Sequence, residues 1–178
     1  MGERAAIEGL GDAAEVLGLL PRGSFVMTSA FEGTRAGLRL RAVQQCADEP
    51  LLVSVAARKG HRIDPLIRDS RGFAVCFVAP DDRLIERKFA EESHVAPAPV
   101  ASGGASGGAG GVTHAGVEDE PDPFDSLPTI TLATGSPILT RSIAAIDCEV
   151  VRHFDLEADH ELFVGQVLAA KVFRAAGG

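Results

Sequence analysis

From Ser24 onward the apolar residues fall into short runs with a two-residue period, punctuated by Gly, Pro and acidic residues. That spacing constrains the fold more than any other feature of the chain. Residues 25–31 read as one strand, and Glu32-Gly33-Thr34 as the turn that follows it. In residues 38–46, Leu38, Leu40 and Ala42 alternate against Arg39, Arg41 and Val43. Residues 51–57 and 73–78 are nearly continuous apolar runs, the pattern of strands covered on both faces. Residues 138–139, 143–154 and 162–173 complete the set, the last two joined by a polar hairpin connection at 155–159. Six or so strands with only short helices predict an antiparallel barrel rather than a parallel α/β sheet. No G-x-G-x-x-G follows a strand, so nothing signals a dinucleotide-binding α/β fold.

The helices expected are few. Ile7, Leu10, Ala14, Leu17 and Leu20 recur at helical spacing until Pro21 and Gly23 end the run. Residues 1–22 are thus expected to supply a helix packed on a barrel built from residues 23–178. Asp64-Pro65 reads as an N-cap and first helical position, opening a short helix over residues 65–69. Pro80-Asp81-Asp82 opens another, to about Ala90, with acidic residues at its positive end. Between residues 97 and 123 the composition shifts to Gly, Ala and Ser followed by Glu118-Asp119-Glu120. Such a stretch buries too little surface to offset the entropy of ordering, so a flexible insertion within one domain is expected.

A length of 178 residues with 46% apolar content suits one domain with a single sizeable core. The formal charge of −8 argues against a nucleic-acid partner, which calls for a basic face. Cys46, Cys76 and Cys148 are far apart and form no C-x-x-C pair, so buried reduced thiols are expected and no metal. No apolar run approaches the roughly 20 residues of a membrane span, and Met1-Gly2-Glu3-Arg4 lacks a secretory pattern. No membrane partner is expected, and the setting expected is cytoplasmic.

One short stretch stands out chemically. Arg58, Lys59, His61 and Arg62 fall within five residues of an otherwise acidic chain, around Gly60 and just before the helix start at Asp64-Pro65. A helix N-terminus favours an anion, Arg can hold a phosphate bidentately, and Lys adds a point charge. The alternative is a solvated basic loop. His160, between Asp159 and Glu161, is a second candidate, either as a ligand or catalytic group or as a turn-holding histidine.

Five ordered stretches carry a resemblance: GSFVMTS at 23–29, GLRLRAVQQCADEPLLVSV at 37–55, RKGHRIDPLIRDSRGF at 58–73, residues 124–139, and AIDCEVVRHFDLEADHELFVGQV at 145–167. Together they resemble the flavin reductase-like proteins. The resemblance implies a mainly β, six-stranded antiparallel split barrel of the FMN-binding type, acting as a homodimer with the flavin in a groove between subunits. Carried over by position, the flavin contacts of the second strand fall on Arg39, Leu40, Arg41, Ala42, Val43 and Gln45. The phosphate turn falls on Ala57, Arg58, Lys59, Gly60, His61 and Arg62, while Phe89 and His160 match positions on the flavin or nicotinamide side. His160 is the one candidate for a catalytic role. The implied activity is an FMN-dependent oxidoreductase that takes hydride from NAD(P)H and passes electrons to an acceptor. Arg39 and Arg41 stand where the family pattern has Thr and Ser, Ala42 stands for a bulky residue, and Ile63 stands for a frequent threonine. These departures keep two alternatives open, an FMN-binding electron-transfer protein and a dimeric barrel without flavin.

Overall fold

A computed structural model describes residues 10–89 and 122–174. The architecture is mainly antiparallel β with three short helices. Along the chain run α1 (Leu10–Gly18), β1 (Phe25–Phe31), β2 (Thr34–Leu40), β3 (Gln44–Asp48) and β4 (Leu51–Arg58). Then come α2 (Ile63–Ser70), β5 (Gly72–Phe77), α3 (Arg83–Lys88), β6 (Thr129–Ile130), β7 (Ile138–Leu139), β8 (Ala144–Asp155) and β9 (His160–Val172). The main sheet has seven strands in the order β2-β1-β5-β8-β9-β4-β3, and β6 and β7 pair separately.

The expected count of six is therefore corrected to seven, and the reason lies between residues 40 and 44. The alternating run 38–46 predicts one strand, but the chain leaves the ladder at Arg41 and re-enters at Gln44. The two halves become opposite edges of the same sheet. Seven flat strands would hold those edges about 29 Å apart at the usual spacing. The link from Leu40 to Gln44 reaches at most about 14 Å. The sheet must therefore curl, which brings β2 up to β4 without pairing to it.

The local chemistry of each element is conventional. Phe31 pairs with Thr34 across Glu32-Gly33, both with positive φ (47° and 82°), the two-residue turn whose twist matches its strands. Helix α2 begins earlier than the Asp64 cap predicted. Arg62 is the N-cap, Asp64 sits in the first turn, and the Ile63 N–H donates to His61 Nδ1 at 3.2 Å. Ile63 is completely buried, so core packing pulls the helix start forward by two residues. Helix α3 starts where expected, with the Asp82 carboxylate as its cap, accepting from the Ile85 N–H. It ends at Lys88, short of the expected Ala90.

Two apolar clusters hold the sheet. The inner one joins Met27, Leu38, Val55, Phe73 and Phe163 with Ile63 and Ile67 of α2. The outer one joins Val26, Ala74 and Cys76 with Ile85 and Phe89 of α3 and with Phe124, Ile138 and Leu139. Strand β5 thus has both faces covered, as its apolar run predicts, whereas β4, expected to be covered likewise, buries only Val53, Val55 and Ala57 and leaves its other face open because no second layer packs there among the described residues. At the N-terminus, Val16, Leu17 and Leu20 are more than half exposed, so the apolar face of α1 expected to pack on the barrel does not do so within the described residues. The expected glycine-rich insertion at 97–123 falls almost wholly outside the described residues.

Candidate functional site

Where the curl of the sheet brings β2 near β4, a cleft of about 200 Å³ opens between the end of β2 and the paired strands β4 and β9. Arg39, Arg41 and Ala42 line one side, and Ala56, Arg58 and His160 the other, with Leu38 and Leu40 completing the lining. The register explains the second side. Arg58 pairs with His160, and side chains alternate along β4, so Ala57 points into the inner core while Ala56 and Arg58 point out. Ala42 and Ala56, backed by the buried Leu38 and Leu40, with a rim of three guanidiniums and an imidazole suit a ligand that carries anionic groups on an apolar body.

The candidates read from the sequence divide accordingly. Arg39, Leu40, Arg41, Ala42, Arg58 and His160 come together at the cleft. Ala57 is 3% exposed within the inner core, and Val43 packs against the same core. Gln45 is exposed and donates to Asp48 at 2.6 Å. Phe89 is 2% exposed in the outer core, edge-on to Phe124 with ring centroids 5.2 Å apart. It packs so closely beneath β2 that a Cβ on Gly37 would lie 2.4 Å from its ring. Phe89 therefore supports the strand from behind and does not line the cleft. Arg62 is half-buried at the N-cap of α2.

Charge pairing refines the roles further. Arg39 donates to Glu86 of α3 at 2.7 Å, so its charge is already engaged. Lys59 forms an ion pair with Asp155, and its backbone N–H donates to the Asp159 carbonyl at 3.0 Å. The basic turn is thereby tied to the tip of the β8–β9 hairpin, and Lys59 serves that tie. The Lys59 hydrogen bond holds the Asp155 carboxyl below its usual range. The Asp159 carboxyl is likewise lowered, chiefly by its hydrogen bond with His160 at 3.0 Å, with Arg58 adding to the effect. Arg58 and Arg41 are left as the exposed cations of the rim.

Sequence reasoning missed Ala56, Glu86 and Glu161. The alternation of β4 held the signal for Ala56, once Ala57 is known to point inward. Glu86 carried no local signal, because its partner lies 47 residues away. Glu161 is 6% exposed and accepts from Arg68 of α2 through both oxygens, at 2.9 and 2.8 Å. The thiols bear out their expected inertness in part. Burial raises Cys76 to about 11 and Cys148 to about 12, whereas Cys46 is exposed on β3. Among the described residues no group of His, Cys, Asp and Glu could hold a metal ion, and no helix is long and apolar enough to cross a membrane.

Comparison with known proteins gives a consistent picture. The family model described as "Flavin reductase like domain" matches residues 17–178. Among solved structures, a homolog of nitrilotriacetate monooxygenase component B from Mycobacterium thermoresistibile has a TM-score of 0.70 at 22% identity. That match covers 96% of this chain and 80% of the other. The NADH:FAD oxidoreductase SgcE6 of Streptomyces globisporus C-1027 has a TM-score of 0.68 at 20% identity, covering 97% and 88%. An FMN-binding protein from Thermus thermophilus, solved with 1-cyclohex-2-enone, has a TM-score of 0.66 at 19% identity, covering 87% and 72%. No curated protein matches the chain in sequence.

Proposed function

Because the chain belongs to the family of flavin reductase-like domains, we propose that it binds FMN in the cleft between β2, β4 and β9 and passes electrons from NAD(P)H to an acceptor. The observation that carries this reading is the convergence of Arg41, Arg58 and His160 around an apolar floor, with Arg58 opening the turn that leads into α2. Such a rim fits the phosphate of a flavin, and the floor of Ala42 and Ala56 fits its ring. A bound flavin would supply the redox chemistry, and the protein would supply binding, orientation and charge. Arg58 and Arg41 hold the anionic end, Ala42 and Ala56 meet the ring system, and His160 stands at the rim as a donor or acceptor.

A homodimer belongs to the same proposal. A cleft of about 200 Å³ falls short of the 300 Å³ or more typical of a site that encloses a ligand of this size. The outward face of β4 and β9 beside it carries Ala56, Leu162 and Val164, with Phe154 of β8 at 48% exposure. A second copy seated there would complete the wall.

One observation favours a second reading, an FMN-binding electron carrier without a nicotinamide pocket. Phe89, at a position that in the family lines the flavin or nicotinamide side, is buried in the outer core.

Two measurements decide the matter. The purified protein should be yellow or turn yellow with FMN, and NAD(P)H should bleach that colour; bound flavin that NAD(P)H leaves oxidised would favour the carrier. Calorimetric titration should give tighter binding of FMN than of riboflavin. Arg58→Ala should cost about tenfold or more in FMN affinity, since a charge-assisted hydrogen bond contributes about 1.5–3 kcal/mol. Equal affinity for the two flavins in the parent protein would overturn the phosphate assignment.

A further inference from the structure

Directly beneath the cleft lies a polar knot that the proposed function does not use. Glu161, next to His160 on β9, turns inward and is 6% exposed. Its carboxylate accepts from Arg68 at 2.9 and 2.8 Å, and His153 Nε2 of β8 lies 2.5 Å from Oε2. Arg68 is itself held by Asp64, through Nε to Oδ1 at 3.0 Å, one turn earlier on α2. The His153 ring stacks on Phe163 with centroids 4.6 Å apart, which fixes its orientation.

Three elements therefore converge on one carboxylate. In register, Glu161 faces Ala57 of β4 and Asp155 of β8, the residues that precede and flank the basic turn. The turn, residues 58–62, is fastened at one end by Arg58 pairing with His160 and by Lys59 bonding to the β8–β9 hairpin. At the other end it runs into α2, which Ile63, Leu66 and Ile67 seat in the inner core and which Arg68 ties to Glu161. A carboxylate this well buried is costly to keep charged unless it is paired, and here its partners meet it from two other elements. A buried pair of this kind adds little net stability, because desolvation offsets much of the attraction.

We infer that Glu161 is a positioning residue, which through Arg68 sets the angle of α2 and so places the basic turn and His160 for the anionic end of the ligand. The inference rests on the flavin reading of the cleft. It separates from that reading because the placement of the turn can be followed without ligand.

The test uses the full chain and the variant Glu161→Gln, which keeps shape and one accepting oxygen but loses the charge. Amide hydrogen exchange without ligand should speed up at Lys59 and Ile63 and stay unchanged in the β1–β2 hairpin. FMN affinity should fall about tenfold while riboflavin affinity stays within twofold, because only the phosphate end loses its alignment. Arg68→Lys keeps the charge but not the fork, and should give a smaller loss of the same selective kind. It also serves if the first variant folds poorly. Unchanged exchange at the turn, or equal losses for FMN and riboflavin, would overturn the role of Glu161. A parent protein that binds neither flavin would overturn the flavin reading, and the exchange result would then decide the placement of the turn by itself.

Discussion

Arg39 and Arg41 are two residues apart, yet the fold gives them different tasks. On an unbroken strand they would share a face, but β2 ends at Leu40 and Arg41 sits in the bend beyond it. Arg39 is engaged by Glu86 at 2.7 Å, whereas Arg41 is exposed at the rim. Arg41→Ser should therefore weaken FMN binding several-fold, and Arg39→Thr should weaken it less; titration giving the reverse order would show that Glu86 releases Arg39 to the ligand. Asp155 offers a pH-dependent check on the turn. Its carboxyl is lowered below 3.8 by Lys59, so its contribution is present above that value and is lost as pH falls through the lower folded value. Asp155→Asn should accordingly melt below the parent at neutral pH, and the gap should close in strong acid. A gap that persists there would mean that the Lys59 pair is not its source. Arg39 and Asp155 were visible in the sequence as charges, but neither pairing was.

At the scale of elements, the ends of the long insertion are pinned together. Phe89, the last described residue before it, meets Phe124 edge-on at 5.2 Å. Arg35 pairs with Asp122 at 2.6 Å and lies over the Phe124 ring at 5.0 Å. Lys88 Nζ donates to the Asp125 carbonyl at 2.6 Å. With the ends held by β2 and α3, the residues between them have little closure work to do. Deleting residues 101–116 roughly halves the loop, which changes its closure entropy by only about 0.6 kcal/mol. The melting temperature should move by no more than about 2 °C. A large fall, read by calorimetry, would show that the segment packs on the domain. The composition shift at residue 97 was plain in the sequence, whereas the clamp at its base joins residues 35 and 122 and had no local signature.

For the whole molecule, the most exposed large apolar residues lie in two places, on and just after α1 (Val16, Leu17, Leu19 and Leu20) and along β8 and β9, where a second copy is proposed. Leu168 and Val172, near the end of β9, are 46% and 72% exposed, beyond Val164 on the same long strand. Sedimentation should show a dimer at micromolar concentration. Val164→Lys, which sets a charge in the middle of that face, should shift the population toward monomer and weaken flavin binding with it. A parent that sediments only as monomer while still binding flavin would place the whole site within one chain.

The one-dimensional pattern determined what is local. The strand at Phe25–Phe31, the Glu32-Gly33 turn, the Asp82 cap and the cluster of cations at 58–62 all follow from neighbours a few residues apart. Period-two alternation also determined that Ala56 and Ala57 face opposite ways, but not which of them faces the core. That choice, like the break at Arg41 that makes seven strands of an expected six, came from the curl of the sheet. Three linking residues cannot span a flat seven-stranded sheet, so the sheet must curl, and the curl brings the end of β2 beside β4 and β9 to form the cleft. Phe89 went to the core, Lys59 to Asp155 and Arg39 to Glu86 for the same reason. Each was committed by a partner between 35 and 96 residues away, a distance across which periodicity and propensity carry no information.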